Sequence, residues 1–126
     1  MTLLAPFEAS DLGERLRVAG VTGNETLCRP YSFDVHFTVE DGRSLDLGQA
    51  IGSRATLRLE RRADAPFVFH GILAAVDLVA QTPEWALYRA ALVPALWRLG
   101  LGQRSRVFTK MALPDIVREV LDGGGL

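Results

Sequence analysis

The side chains best suited to nucleophilic, metal or acid–base chemistry are few in this chain: Cys28, His36 and His70. A reactive thiol needs a base beside it, and neither histidine is a sequence neighbour of Cys28. Cys28 stands where a strand is expected to begin and reads as a small buried hydrophobe. One cysteine and two widely separated histidines give no metal-ligand spacing. No Gly-x-Ser-x-Gly elbow is present to anchor a hydrolase triad. Gly100-Leu101-Gly102-Gln103-Arg104-Ser105 has neither the spacing nor the lysine of a phosphate loop. Asp34 and Glu60 are isolated carboxylates within expected strands, not a placed acid–base pair. His70, before Gly71 in an apolar stretch, reads as a hydrogen-bonded or interface histidine, with proton transfer as the alternative. His36 falls on a polar strand face and is expected to be solvated. Arg98, Arg104, Arg106 and Lys110 have the charge to meet phosphate, but stacking aromatics are not interleaved among them. They read as a solvated or protein-binding face. The chain is therefore expected to be no enzyme, with no cofactor, no metal and no nucleic-acid partner.

The elements that hold these residues are mostly strands. Tyr31, Phe33, Val35, Phe37 and Val39 alternate with Ser32, Asp34, His36 and Thr38. That period of two gives a strand with one apolar and one polar face, and Pro30 suits its start. Before it, Leu16 to Val21 is a short strand followed by a turn at Thr22-Gly23-Asn24-Glu25. After it, Asp41-Gly42 is a hairpin-turn signal. Leu45 to Ile51 reads as a connection, Ala55 to Glu60 as a strand, and Arg61 to Pro66 as a polar turn. Phe67 to Ala80 is one long strand with Gly71 as a bulge or bend. Gln81 to Glu84 turns the chain into a returning strand, Trp85 to Val93. Pro94 to Leu101 is apolar without a clean period, and Arg104 to Phe108 reads as a short extended segment. Leu113-Pro114-Asp115 opens a helix of roughly nine residues, with proline at its first position and an acid in its first turn. Ile116, Val117, Val120 and Leu121 form its apolar face, and Gly123-Gly124-Gly125 ends it. Trp85 and Trp97 are expected in the core, with a subunit contact as the alternative.

Composition agrees with a single domain over residues 1–126. Apolar residues make up 48% and charged residues 23%, a globular rather than a disordered balance. The formal net charge of −1 provides no field for nucleic acid or an anionic membrane. Thirteen of the 14 basic residues are arginine, which suits multi-donor interface contacts, although genome composition gives the same bias. Met1 to Phe7 lacks a basic n-region and is broken by Pro6, so no signal peptide is expected. The longest apolar run, Ile72 to Val76, is far short of the ~20 residues that span a bilayer.

Five segments, in order, carry a resemblance. They are Arg29-Pro30-Tyr31-Ser32-Phe33-Asp34-Val35, Phe69-His70-Gly71-Ile72, Tyr88 to Leu99 with Pro94 and Trp97, Ser105-Arg106-Val107-Phe108, and Pro114 to Leu121. Together they resemble the N-terminal region of the type VI secretion spike family, VgrG, which belongs with phage baseplate-hub and late control protein D proteins. The resemblance implies a mainly β fold: an antiparallel β-barrel of the phage baseplate-hub type with a short C-terminal helix. Arg29, Pro30, Tyr31, Phe33, His70, Gly71, Pro94, Trp97, Ser105, Arg106 and Phe108 would be its structural motif residues.

The implied role is structural. Members form a homotrimeric spike that caps a hexameric tube protein, contacts baseplate components and helps puncture a target membrane. A PAAR-repeat tip and effectors join through C-terminal regions that lie beyond these residues, so the chain is expected to be the first part of a longer spike protein. Such a protein would be cytoplasmic when assembled and then secreted or injected without a signal peptide. Two alternatives stay open: a phage-tail or contractile-bacteriocin hub, and a small-molecule or oligonucleotide-binding β-barrel.

Overall fold

The alternation that begins at Tyr31 becomes a strand, Ser32–Glu40, whose Phe33, Val35, Phe37 and Val39 are all buried. It belongs to a fold seen in a computed structural model that describes residues 7–9, 16–40, 46–60, 65–103 and 105–126. Two compact units make up the chain, Met1–Pro94 and Ala95–Leu126.

Among the described residues the first unit contains six strands and one helical turn. In chain order these are β1 (Phe7–Ala9), β2 (Leu16–Asn24), β3 (Ser32–Glu40), α1 (Leu47–Ala50), β4 (Arg54–Leu59), β5 (Phe67–Gln81) and β6 (Trp85–Val93). They form one sheet in the order β1-β4-β5-β6-β3-β2, antiparallel throughout. The edge strands β1 and β2 are not hydrogen-bonded neighbours, yet they approach within 8 Å at Cα. The sheet is thus an open antiparallel barrel, the fold the resemblance implies.

Its interior follows from register. Across β3 and β6, Phe33 faces Leu92, Val35 faces Ala90, Phe37 faces Tyr88 and Val39 faces Ala86. Each pair shares the buried face, and small alanines stand opposite larger residues. The Phe37 ring stacks on Tyr88 at 5.7 Å and meets Phe7 at 5.6 Å. Leu57, Leu73 and Val76 complete this cluster from β4 and β5. Leu73 and Val76 both point inward although three positions apart, because the register shifts between Leu73 and Ala75. A second shift lies between Leu78 and Ala80. Such bulges bend a strand, as barrel closure requires.

Several details depart from the sequence reading. Gly71 is not the bulge. A Cβ built there would collide with the carbonyl oxygen of Val93, so glycine serves a close backbone approach. The Asp41-Gly42 signal lies outside the described residues. The strands it would join are not neighbours, since β3 lies between β2 and β6. Most of the Thr22–Glu25 turn is strand: β2 runs on to Asn24, and Gly23 pairs with Phe33, whose ring covers it. The connection after β3 holds α1, capped by Asp46, whose Oδ1 accepts from the backbone N–H groups of Gly48 (3.0 Å) and Gln49 (3.3 Å). Cys28 is exposed, not buried. It occupies a turn at φ 65°, four residues before β3 begins. Trp85 is 39% exposed and Trp97 is half-buried, so neither belongs to the core. Of the polar turn Arg61–Pro66, residues 61–64 lie outside the described residues.

The second unit has a 3₁₀ segment, Ala95–Leu101, and one helix, α2, Leu113–Gly123. Pro114 sits in the first turn with Asp115. At the other end Gly124 N–H donates to the Val120 carbonyl (3.2 Å) and Leu126 N–H to the Leu121 carbonyl (3.0 Å). Gly125, at φ 77°, makes that reversal possible. Ile116, Val120 and Leu121 are half-buried while Val117 is exposed. Ser105–Phe108 forms no strand, and Arg104 lies outside the described residues.

Phe33→Asp places a carboxylate in the core face of β3. Losing the ring alone costs about 3–5 kcal/mol, and the charge adds to that. The expected outcome is a chain without the wild-type circular dichroism spectrum or melting transition; a native spectrum and melting point would contradict this register.

Candidate functional site

Four motif residues of the first unit, Tyr31, Phe33, His70 and Gly71, meet around one end of β5. β4 accompanies β5 from Phe67 to Ile72, but β6 begins its pairing only at Val93 opposite Ile72. Phe67 to Gly71 therefore has a strand on one side only. Leu73 N–H donates to the Ser53 carbonyl (3.0 Å), and its own carbonyl accepts from Gly52 N–H (2.7 Å), both on the β4 side. Backbone groups alternate sides along a strand, so those of His70 point to the side that β6 has left.

Tyr31 fills that place. Its hydroxyl donates to the His70 carbonyl at 2.5 Å. Its ring packs on Phe33 (5.8 Å) and on Phe69 (5.2 Å), and Phe33 and Phe69 meet at 4.4 Å. Burial pushes the Tyr31 phenol above its ordinary pKa, and the charge of Glu25 adds to the effect. The His70 ring lies on the other face, where Nδ1 is 3.0 Å from Thr56 Oγ1. Tyr31, Phe33, His70 and Gly71 thus form one structural constellation. Phe69, Gly23 and Thr56 belong to it too, and only their strand neighbours hinted at that.

In the second unit Arg106 and Phe108 come together. The Arg106 guanidinium lies 5.2 Å from the Phe108 ring centre and donates to Glu119 on α2 at 2.9 Å. Beside them is a cleft of about 430 Å³, lined by Leu99, Phe108, Val120, Arg98, Arg106 and Gly124 among others. Among the described residues, no hydrogen bond, ion pair or ring contact ties Arg29, Pro30, Pro94, Trp97 or Ser105 to either group.

The polar outer face of the sheet carries one ion network. Arg89 donates to Asp77 at 2.9 Å and lies 3.9 Å from Asp34. That hydrogen bond and the two carboxylate charges hold the guanidinium more firmly protonated than usual. His36 is half-buried opposite Arg89 in register, and Glu60 pairs with Arg58 at 3.1 Å. Asp34 and Glu60 therefore engage different arginines. No group of three His, Cys, Asp or Glu among the described residues is placed to hold a metal.

Two substitutions probe the β5 constellation. Tyr31→Phe keeps the ring and loses the bond to His70, at a cost of about 1 kcal/mol in urea unfolding at neutral pH. Because the folded-state pKa is raised, protonated Tyr31 stabilises the fold below the ordinary value of about 10. That contribution fades as pH rises through the folded-state value, so the gap between wild type and Tyr31→Phe should narrow there. Gly71→Ala should cost at least about 1–3 kcal/mol, since the obstructing atom is backbone. An unchanged urea midpoint would contradict the close approach to Val93.

Residues 24–125 match the phage tail baseplate hub (GPD) family. The chain is 32% identical over 112 residues to the type VI secretion system spike protein VgrG1b of Pseudomonas aeruginosa, covering 88% of this chain and 15% of that protein. It is 33% identical over 98 residues to VgrG1a of the same organism, covering 78% and 15%. To the actin cross-linking toxin VgrG1 of Vibrio cholerae it is 30% identical over 135 residues, covering 99% and 12%. The chain therefore spans about 15% of the length of the first two. Among solved structures, the E. coli c3393 protein matches with a TM-score of 0.77 at 19% identity, over 92% of this chain and 31% of that one. It is described as a component of the type VI secretion system with structural similarity to the T4 bacteriophage tail proteins gp27 and gp5. At that identity the likeness speaks for the fold, an open barrel of the hub type. With the family match running from the end of β2 to the end of α2, the chain belongs to the phage tail baseplate hub (GPD) family.

Proposed function

We propose that this chain is a structural part of the trimeric spike, or hub, that caps the hexameric tube of a type VI secretion system and helps deliver effectors through a punctured membrane. The observation that carries this reading is the coincidence of the family match over residues 24–125 with a hub-type open barrel. Relatives at about 30% identity named as type VI spike proteins support it. In this role the motif residues act structurally. Tyr31, Phe33, His70 and Gly71 fix the barrel at the end of β6, and Arg106 and Phe108 fix α2. The partners are two further copies, the tube protein and baseplate components; tip protein and effectors engage regions outside these residues. The chain works as an assembly surface and not as an enzyme. The activity named for the Vibrio cholerae toxin stays with that protein, of which the match covers 12%.

The protein assembles in the cytoplasm and leaves the cell with the machine. No helix among the described residues is long and apolar enough to cross a membrane. A second reading, a phage-tail or contractile-bacteriocin hub, draws on the family's own description. The two differ in which tube protein binds.

Sedimentation velocity of the chain mixed with the hexameric type VI tube protein tests the proposal. The expected result is a boundary heavier than the ring alone. Binding to a phage-tail tube protein instead would move the assignment to the second reading, and a chain that ignores both rings would overturn the hub role.

A further inference from the structure

Two exposed features of this chain complement each other. The turn between β5 and β6 is rigid: Thr82 N–H donates to the Trp85 carbonyl (2.8 Å), and Trp85 N–H to Thr82 Oγ1 (3.1 Å). It presents Trp85, Leu78 and Val79 at 39%, 44% and 53% exposure, and Glu84 is exposed beside them. A tryptophan held on a stiff turn beside an acid has the composition of an interface anchor, because little side-chain entropy remains to be lost on docking. The other feature is the 430 Å³ cleft in residues 95–126, with Leu99, Phe108 and Val120 as its apolar lining. Among the described residues its charged lining is Arg98 and Arg106, with no carboxylate. Glu119 neutralises Arg106 at 2.9 Å, so among the described residues Arg98 is the lining cation to be met. Charge follows the same division along the chain. Residues 95–126 hold five basic and three acidic side chains, a net +2, and the remainder therefore carries −3 of the total −1.

We propose that the β5–β6 turn of one copy docks in the cleft of a second copy, with Trp85 as the apolar knob and Glu84 facing Arg98. The cleft has the size that takes one large side chain, and an aromatic knob there removes 150–250 Å² of its own surface from water. The contact joins two different patches of the same chain. Repeated head to tail, such a contact closes into a ring when the rotation allows. The inference deepens the assembly reading above and rests on it for the premise that copies associate.

Sedimentation velocity of the full chain alone, from low to high micromolar concentration, reads the contact directly. The wild type should associate with rising concentration. Trp85→Ala should weaken association about 30-fold, the size of a hot-spot truncation. Glu84→Arg and Arg98→Glu should each weaken it, and the double variant should recover it, because the swap restores one pair of opposite sign. Circular dichroism checks that each variant is folded. If Trp85→Ala alters the spectrum, the charge swap at two exposed positions decides. A wild type that stays monomeric, association that ignores the single variants, or a double variant that recovers nothing would overturn the contact. No tube protein is present in this run. A chain that binds the ring yet never self-associates therefore overturns the contact and leaves the hub reading in place.

Discussion

The place where β6 leaves the sheet governs the first unit. At Ile72 β5 changes partners: before it β5 pairs with β4 alone, and beyond it with β6. A strand that loses a neighbour exposes backbone groups that must be satisfied. Here a side chain substitutes for the missing strand: the Tyr31 hydroxyl takes the His70 carbonyl. The same departure brings the Val93 carbonyl against Gly71, so tightly that no Cβ fits. The Tyr31 and Phe33 rings then close over Phe69. Two segments far apart in the chain, around Tyr31 and around His70, thus meet at one backbone problem.

The barrel's interior shows what kind of protein this constraint serves. Phe7, Phe37, Tyr88, Leu57, Leu73 and Val76 fill the inner face. These side chains meet across the interior, as in small barrels whose interior is filled by side chains. The outer face offers Arg89 between Asp34 and Asp77, a network exposed enough to add little stability. Stability therefore comes mainly from the inside.

Much of this was legible because register and turn chemistry are local. The alternation in β3, the return through Thr82 and Trp85, and the proline and acid at the start of α2 each needed only neighbouring residues. The failures were non-local or lacked a residue signal. Gly23 reads as a turn glycine, but it is a strand glycine covered by Phe33, and only pairing brings the two together. Cys28 adopts a left-handed conformation more usual for glycine or asparagine, so its residue type gave no hint of a turn. Gly71 reads as a bulge or bend, but it serves a close approach by the Val93 carbonyl, which sequence separation hides. The pairing of Arg106 with Glu119 was likewise invisible, although the apolar spacing of α2 was plain.

Residues 95–126 carry the functional argument furthest. None of the described residues there is buried, and Leu101, Val107, Leu113 and Val117 are exposed. An 11-residue helix is marginal by itself in water. What orders it locally is slight: a glycine reversal at its end, one arginine–glutamate pair and a half-buried apolar face. Hydrophobic groups left in water at this density gain free energy only when another surface covers them. The first unit, by contrast, has a buried apolar cluster of its own, although Leu27, Phe67, Val68 and Val79 among others stay exposed. One chain thus holds a barrel with a core of its own and a segment in which none of the described residues is buried. The barrel is held by packing across strands distant in sequence, whereas the helical segment is held by an arginine–glutamate pair, the hydrogen bonds at its glycine end and a half-buried face.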